Sequence, residues 1–244
     1  MKKISIITLF PEVLLPYLSS SIMKRAEESG RVQYDLVPLR PFGLGKHKQV
    51  DDSPYGGGEG MLMRPEPLFS AVHSVTEREG KKPHTILMTP AGKLFTQKEA
   101  ERLASLDSLL FICGHYEGID ERVRTGLADE EISIGRYILT GGELPALVVV
   151  DAVVRLLEGV LPPESTKNES FSQGLLEPPQ YTRPPEFQGE TVPPILLSGD
   201  HEAIRKWRRE NALRRTIALS PDLIASADLT DEEKAFVSRL RKEQ

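Results

Sequence analysis

A parallel α/β domain followed by a small all-helical domain is the fold class that this sequence of 244 residues predicts. Short apolar runs alternate with longer polar and apolar stretches through the first 160 residues, as strands alternating with helices do. The strand-like runs are apolar throughout, which a parallel sheet covered on both faces requires. Hydrophobic residues make up 39% of the chain and charged residues 27%, so it can bury a core.

The elements of the first domain follow in order along residues 1–160. Five apolar runs predict strands, at residues 4–9, 32–37, 85–88, 109–113 and 131–134. Apolar residues at helical spacing predict helices between them, at residues 11–29, 65–79, 96–105 and 120–127. A further helix at 142–158 follows a glycine pair.

A proline-rich linker at residues 161–195 separates this domain from a helical domain at 196–244. Residues 162–194 contain 8 of the chain's 19 prolines, and proline removes amide donors and fixes φ, so a linker or extended arm is expected there. Beyond it, Asp200 can cap a helix to about residue 216, and Ser220 with Pro221 can begin another. Thr230 and Glu233 form a capping-box pattern that opens a last helix.

Several classes of protein are excluded by composition. A single cysteine, Cys113, rules out an intramolecular disulfide, and the five histidines show no metal spacing, so no metal ligands are predicted. The apolar run at residues 4–10 is too short for a signal peptide or a spanning helix, and Pro11 follows it directly. We therefore expect a protein of the cytoplasm with no membrane partner.

Charge is unevenly distributed along the chain. Six basic residues and one acid give residues 205–215 a charge of +5, which leaves −10 on the rest of a chain whose net charge is −5. A strongly basic segment on an acidic body indicates a local contact with a polyanion. A solvated helical face is the alternative interpretation.

Four glycine-bearing loops are candidates for ligand contact. The loop at residues 55–61 has the glycine spacing of a dinucleotide fingerprint but no preceding buried strand, so a substrate-contacting loop is favoured, with a structural turn as the alternative. The loops at 89–92, 114–118 and 135–142 each follow a predicted strand. Ligands bind outside the carboxyl ends of strands in parallel sheets, so these three predict one site for a small molecule. Cys113, two residues before His115, is interpreted as packing rather than as a nucleophile.

Six motifs together resemble the bacterial tRNA (guanine-N1)-methyltransferase family, TrmD, of the SPOUT class. They cover nearly the whole chain in order and with similar spacing: residues 55–61 (Tyr-Gly-Gly-Gly-Glu-Gly-Met), 113–122 (Cys-Gly-His-Tyr-Glu-Gly-Ile-Asp-Glu-Arg), 133–143 (Ser-Ile-Gly-Arg-Tyr-Ile-Leu-Thr-Gly-Gly-Glu), 174–177 (Gly-Leu-Leu-Glu), 181–184 (Tyr-Thr-Arg-Pro) and 205–208 (Arg-Lys-Trp-Arg).

The resemblance implies an enzyme that transfers a methyl group from S-adenosyl-L-methionine to N1 of guanosine 37 in tRNA. It also implies a deep trefoil knot in the first domain, which would bind the cofactor, and a tRNA-binding role for the helical domain. A homodimer is implied as well, in which each site is completed by the partner's linker and C-terminal domain. Family members often need magnesium, although the sequence shows no dedicated cation cage.

The site residues carried over by the resemblance fall into three groups. The cofactor-binding group is Leu87, Met88, Thr89, Pro90, Gly114, Tyr116, Glu117, Ile134, Gly135, Arg136, Tyr137, Ile138, Leu139, Gly141, Gly142 and Pro145. The substrate-binding group is Gly57, Gly58, Gly60, Met61, Arg183, Arg205, Lys206, Arg208, Arg209, Arg214 and Arg215. The catalytic group is Glu169 and Arg155.

Two of these positions depart from the family pattern. Glu169 stands where an aspartate is usual, and Arg136 stands where an aspartate is frequent. Guanine N1 carries a proton, so methylation needs a carboxylate base and a nearby cation for the charge that develops on the ring. Glu169 is the predicted base and Arg155 its electrostatic partner, with Glu177 as the alternative base.

Two other functions remain as alternatives at this point. A non-catalytic RNA-binding protein could use the same scaffold, but the presence of both Glu169 and Arg155 favours an enzyme. A dinucleotide-dependent oxidoreductase is disfavoured, because no glycine fingerprint directly follows a strand.

Overall fold

The chain divides into two compact units, Met1–Leu161 and Pro162–Gln244. A computed structural model describes residues 1–162, 165, 169–171 and 174–242. Within those residues, no helix has the length and apolar character needed to cross a membrane.

A five-stranded parallel sheet forms the centre of the first unit and confirms the predicted α/β class. Its strands are β1 (Lys2–Thr8), β2 (Val32–Pro38), β5 (His84–Leu94), β6 (Ser108–Cys113) and β7 (Glu130–Ser133), in the order β2-β1-β6-β5-β7. A small antiparallel pair, β3 (Asp51–Asp52) and β4 (Leu62–Met63), lies outside this sheet.

Helices cover both faces of the sheet. They are α1 (Pro11–Leu18), α2 (Ser21–Glu28), α3 (Pro65–Glu79), α4 (Gln97–Ala104), α5 (Glu121–Gly126) and α6 (Glu143–Val154). Successive residues of β6 belong to different cores: Leu109 and Phe111 pack with α1, α2, α4 and α6, whereas Leu110 packs with α3 and α5. This two-sided burial explains why β6 is apolar from Leu109 to Cys113. The edge strand β2 departs from the predicted pattern, because Gln33 and Asp35 interrupt its apolar residues.

Two predicted elements of this unit are wrong in detail. The helix expected at 11–29 is broken, because Ser20 adopts extended backbone at φ −121° and ψ 155°. The helix expected at 142–158 ends at Val154, where Arg155 caps it.

The loop predicted at residues 89–92 is a bulge within β5. Met88 and Lys93 both pair with Ile132 of β7, so the four residues between them bulge out of the ladder. Glycine permits the close return of the chain, since a Cβ on Gly92 would lie 2.5 Å from the Ile132 nitrogen. The strand therefore continues beyond the point at which the sequence predicts its end.

The second unit contains a hairpin and three helices among its described residues. The strands β8 (Glu186–Phe187) and β9 (Glu190–Thr191) form the hairpin, and the helices are α7 (Pro194–Leu197), α8 (His201–Leu219) and α9 (Asp231–Leu240). Leu175, Leu213 and Val237 belong to its buried core.

The tail confirms some local predictions and corrects others. The capping box of Thr230 and Glu233 is present at the start of α9. The proline-rich stretch is not wholly extended, because Gln188 and Gly189 both have positive φ and turn the chain into the hairpin. Ser220 and Pro221 do not begin an α-helix, since only a 3₁₀ turn at Leu223–Ala225 follows them.

Candidate functional site

A cleft of about 460 Å³ lies at the carboxyl ends of β5, β6 and β7, within the usual size range of small-molecule sites. Its walls are the β5 bulge, the loop after β6 and the loop between β7 and α6. Every residue predicted to bind the cofactor lines this cleft, except Arg136. The sequence analysis missed other lining residues, including His115 and Ile119 in the loop after β6 and Ile132 on β7. The motifs alone do not show which residues reach the cleft.

Glycines allow the loops of the cleft to approach each other. The Gly142 N–H donates a hydrogen bond of 2.9 Å to the Gly114 carbonyl, which joins the start of α6 to the loop after β6. A Cβ on Gly142 would lie 2.7 Å from the Cys113 Cα. Because this is a backbone atom, it cannot turn aside as a side chain could. At Gly141 a Cβ would instead meet the His115 ring, 2.2 Å from its Cε1. Both positions therefore require glycine because a side chain there would collide with another segment of the protein.

A buried polar cluster holds one side of the cleft. Glu143, the first residue of α6, is 4% exposed, and its Oε1 accepts a hydrogen bond of 2.6 Å from the Thr8 hydroxyl. Its Oε2 lies 2.6 Å from Nε2 of His115. Glu143 thus ties the end of β1 and the loop after β6 to the start of α6. The sequence analysis assigns no role to Glu143. Its position directly after a glycine pair was the only feature of the sequence that could have indicated one.

Cys113 confirms its interpretation as a packing residue. It is fully buried at the end of β6. Burial, followed by the charge of Glu143, raises the pKa of its thiol well above the usual value. A reactive thiolate needs the opposite environment, so Cys113 is not a nucleophile in this structure.

The glycine-rich loop at 55–61 connects β3 to β4 and is attached at its base to the cleft. The Glu117 N–H donates to the Met61 carbonyl at 3.1 Å, and the Met63 N–H donates to the Gly118 carbonyl at 2.9 Å. A Cβ on Gly60 would lie 2.4 Å from the Glu117 Cγ. The structure therefore places the predicted substrate loop directly beside the predicted cofactor loop.

Tyr116 occupies a special backbone position between these segments. Its φ of 61° is in the left-handed region, which residues other than glycine seldom adopt. Partial burial, and then the charge of Asp51, raise the pKa of its phenol.

The predicted catalytic residues lie in different units. Arg155 follows α6 in the first unit and is half-buried. Glu169 lies in the second unit, also half-buried, at the start of a turn with Ser170 and Phe171. Both side chains have partners within the chain.

The alternative base, Glu177, is used to hold this turn. Its Oε1 accepts from the Ser170 N–H at 3.2 Å, and its Oε2 accepts from Nε2 of Gln180 at 2.7 Å. The Glu177 N–H returns a bond of 3.0 Å to the Ser170 hydroxyl. This reciprocal arrangement gives Glu177 a structural task that explains its presence without a role in proton transfer.

Helix α8 presents the basic segment. Asp200 caps it by accepting from the N–H groups of Glu202 and Ala203, at 3.1 and 3.0 Å. Ala212, Leu213 and Ile217 are buried, and the outward-facing residues include five of the predicted phosphate ligands: Arg205, Lys206, Arg208, Arg214 and Arg215.

Arg209 differs from its neighbours on α8. Its Nε donates to Glu233 of α9 at 2.6 Å, and this hydrogen bond is the main cause that lowers the pKa of Glu233. Arg183, also predicted to contact substrate, is exposed in a segment whose Tyr181 lies 6.5 Å from Trp207 of α8, measured between ring centroids. The structure thus gathers Arg183 and the basic helix in one unit.

In the part of the chain that the structure describes, no three His, Cys, Asp or Glu side chains are grouped so that they could hold a metal ion.

The fold and cleft define an α/β protein with a small-molecule site at the carboxyl edge of its sheet and a basic helix in a separate unit.

Comparison with known proteins narrows this class. A family model described as tRNA (Guanine-1)-methyltransferase TrmD matches residues 1–226. The tRNA (guanine-N(1)-)-methyltransferase of Halalkalibacterium halodurans is 51% identical over 243 residues, which is 99% of both chains. Relatives of the same name are 51% identical in Moorella thermoacetica over 244 residues (99% of this chain, 98% of the relative) and 55% identical in Pelotomaculum thermopropionicum over 240 residues (98% and 96%). The chain belongs to the tRNA (guanine-1)-methyltransferase family, TrmD, which confirms the resemblance found in its motifs.

Proposed function

We propose that this chain transfers a methyl group from S-adenosyl-L-methionine to N1 of guanosine 37, the nucleotide on the 3′ side of the tRNA anticodon. The observation that carries the proposal is the cleft at the ends of β5, β6 and β7. Nearly all of the expected cofactor residues line it, and the chain belongs to this family. Position 37 and the identity of the donor rest on the family resemblance.

The chemistry of the cleft fits this cofactor. Apolar side chains such as Leu87, Ile134 and Pro145 line it and suit an adenine ring. The loops at 114–118 and 135–142 bring backbone N–H and carbonyl groups that suit the ribose and the amino-acid part. When bound, the cofactor supplies an electrophilic methyl group, and the role of these residues is to hold and orient it away from water.

Glu169 is the proposed general base of the reaction. Guanine N1 becomes nucleophilic only when its proton leaves, and the Glu169 carboxylate would accept that proton as N1 takes the methyl group. Negative charge then develops on the ring, largely at O6, where the Arg155 guanidinium would stabilise it. Because N1 lies on the pairing edge, the base must turn outward from the anticodon loop to react.

The basic helix α8 is the proposed phosphate-binding surface. Arg205 and Arg208 are exposed and one helical turn apart, so both can contact the same stretch of RNA backbone. The charge of Arg209 is offset by Glu233, so we expect it to contribute less. In this proposal the first unit binds the cofactor and the second binds tRNA phosphates.

A homodimer is the proposed assembly. Two helices each expose a pair of apolar or aromatic side chains spaced four residues apart. The pairs are Val13 and Tyr17 on α1, and Leu144 and Val148 on α6. The Tyr17 hydroxyl donates to Asp151 of α6, so the two helix faces are adjacent. A paired surface of this kind suits contact with a second copy, and in the family resemblance each site is completed by its partner.

Three further properties are proposed on the family resemblance alone. They are a deep trefoil knot of the SPOUT class in the first unit, a place of action in the cytoplasm, where unmodified tRNA is met, and a use of magnesium in the reaction.

Two assays test the proposed function. Calorimetric titration should show S-adenosyl-L-methionine binding and NAD not binding, and incubation with unmodified tRNA and labelled cofactor should label the tRNA. Cofactor binding without transfer would favour a non-catalytic RNA-binding protein, and binding of NAD alone would favour an oxidoreductase. Repeating the transfer in EDTA, with and without added magnesium, tests the metal requirement.

A further inference from the structure

Tyr55 stands at the tip of the loop between β3 and β4 and is fully exposed. It makes no hydrogen bond and no ring contact with any described residue. A large aromatic side chain buries apolar area when it finds a partner and gains nothing from full exposure. Its position therefore suits a partner that arrives from outside the chain.

The base of this loop is fixed while its tip is open. Met63 is fully buried, and the Arg64 N–H donates to the Val50 carbonyl at 2.8 Å, so the hairpin stem cannot shift. At the tip, Gly56 and Gly57 have φ of 86° and 79°, and added Cβ atoms would meet nothing within 4 Å. Glycine permits these positive-φ conformations, so the tip turns without packing on its surroundings and Tyr55 stays exposed.

The charges around the loop favour contact with a base over contact with a phosphate. Residues 51–66 contain four acids and one base, Arg64. That arginine is paired with Asp52 at 2.7 Å and with Glu66 at 2.9 Å. Arg122, the other cation whose charge acts on Tyr55, is likewise paired with Asp120 at 2.7 Å. Both of these guanidinium groups are therefore already engaged by carboxylates, and what Tyr55 itself offers to an approaching RNA strand is an aromatic face. This differs from helix α8, whose positive charge suits phosphates.

We propose that Tyr55 is a stacking platform for an unpaired nucleobase of the RNA substrate, beside the cleft in which the target base reacts. The proposal rests on the proposed function, because it requires a tRNA substrate. Stacking on an aromatic ring depends on the flat π face and tolerates any base. Tyr55 would hold a neighbour of the target nucleotide and so keep the target turned toward the cleft.

Three substitutions separate the ring from other properties of Tyr55. Tyr55→Leu keeps an apolar side chain but removes the π face, Tyr55→Ala removes both, and Tyr55→Phe keeps the ring and removes only the hydroxyl. We expect the leucine and alanine variants to bind tRNA about 5- to 150-fold more weakly, the range that stacking of one base provides. The phenylalanine variant should retain most of the affinity.

The measurements are the dissociation constant for unmodified tRNA, the dissociation constant for S-adenosyl-L-methionine and single-turnover methylation. Full-length wild-type protein is assayed in parallel. Unchanged cofactor affinity in all three variants is expected. Tight tRNA binding by Tyr55→Leu, or binding by Tyr55→Phe as weak as by Tyr55→Ala, would overturn the stacking proposal. Failure of the wild-type protein to methylate tRNA would instead contradict the proposed function itself.

Discussion

Glu169 and Glu177 lie eight residues apart, and the structure shows a structural task for the carboxylate of Glu177. Glu177 accepts hydrogen bonds from the Ser170 N–H and from Gln180, and the turn it holds is packed on α8 through buried Leu175. Its carboxylate is thus occupied by the fold of the second unit. Glu169, at the start of this turn, also has a partner within the chain, and its proposed role as the base rests on the family resemblance.

Glu169→Gln tests this assignment because it preserves shape and removes basicity. We expect single-turnover methylation to fall by roughly 10²–10⁴-fold, the usual contribution of a general base. Cofactor affinity, measured by calorimetry, should stay near the wild-type value. Glu169→Asp should retain substantial activity, since the family's usual side chain at this position is aspartate.

Glu177→Gln is the matched control for that experiment. Its amide oxygen can still accept from the Ser170 N–H, so the turn should persist and methylation should stay close to wild type. A near-wild-type rate for Glu169→Gln together with a collapsed rate for Glu177→Gln would reverse the two assignments.

Gly142 is the residue at which the cleft depends most on the absence of a side chain. The Cβ of Gly142→Ala would press on the backbone of Cys113 and Gly114, and overpacking of this kind destabilises by about 1–3 kcal/mol. We expect a lower thermal unfolding midpoint and weaker cofactor binding.

Gly114→Ala is the comparison within the same cleft. Its Cβ would meet only the Ile119 side chain, at 3.2 Å, which a small shift relieves. Calorimetry and thermal denaturation should therefore rank Gly114→Ala nearer to wild type than Gly142→Ala. The reverse ranking would show that the cleft is not built as described.

At the scale of elements, local patterns predicted most of the first unit. The helix at 65–79 in the first unit and the capping box of α9 in the second follow from short-range chemistry that the sequence displays directly. The bulge in β5 does not, because it arises from how Met88 and Lys93 both pair with Ile132 on another strand. The hairpin inside the proline-rich stretch is local, and it was missed because Gln188 adopts a positive φ that its residue type does not favour.

The candidate site shows the same division. Its glycine loops could be located because they follow apolar strands, and parallel strands bring their carboxyl ends to one edge. The contact between Glu143 and Thr8 spans 135 residues, so no local pattern could indicate it. The ion pair between Arg209 and Glu233 likewise appears only when α8 packs on α9.

Helix α8 provides the prediction at this scale. Replacing Arg205 and Arg208 by alanine should weaken tRNA binding and spare cofactor binding, because both side chains are exposed and neither supports the core. Each lost phosphate contact should reduce the slope of log affinity against log salt by about 0.7–0.9. Filter binding over a salt series measures both quantities.

Arg209→Ala is the control on the same helix. Removing its ion pair with Glu233 should lower the stability of the second unit by about 1 kcal/mol and change the salt slope less than the double variant. An unaltered tRNA affinity and slope in the Arg205 and Arg208 variant would identify α8 as a solvated face.

At the scale of the whole molecule, the exposed face of α1 and α6 predicts self-association. Val148→Asp places a charge in the middle of this face and should convert a dimer to a monomer in sedimentation equilibrium, with loss of methylation if sites are shared between copies. Leu15→Asp is the control, because Leu15 is exposed on the opposite side of α1 by helical geometry. A dimer unaffected by Val148→Asp would locate the interface elsewhere.

Mapping the methylated product tests the proposed transfer to N1 of guanosine 37 in tRNA. Unmodified tRNA transcripts carrying guanosine or adenosine at position 37 are incubated with the chain and isotopically labelled S-adenosyl-L-methionine, then digested to nucleosides and analysed by mass spectrometry. We predict labelled 1-methylguanosine from the guanosine transcript and no label in the adenosine transcript. Label on another nucleoside, on another atom of guanine, or equally in both transcripts would contradict the account.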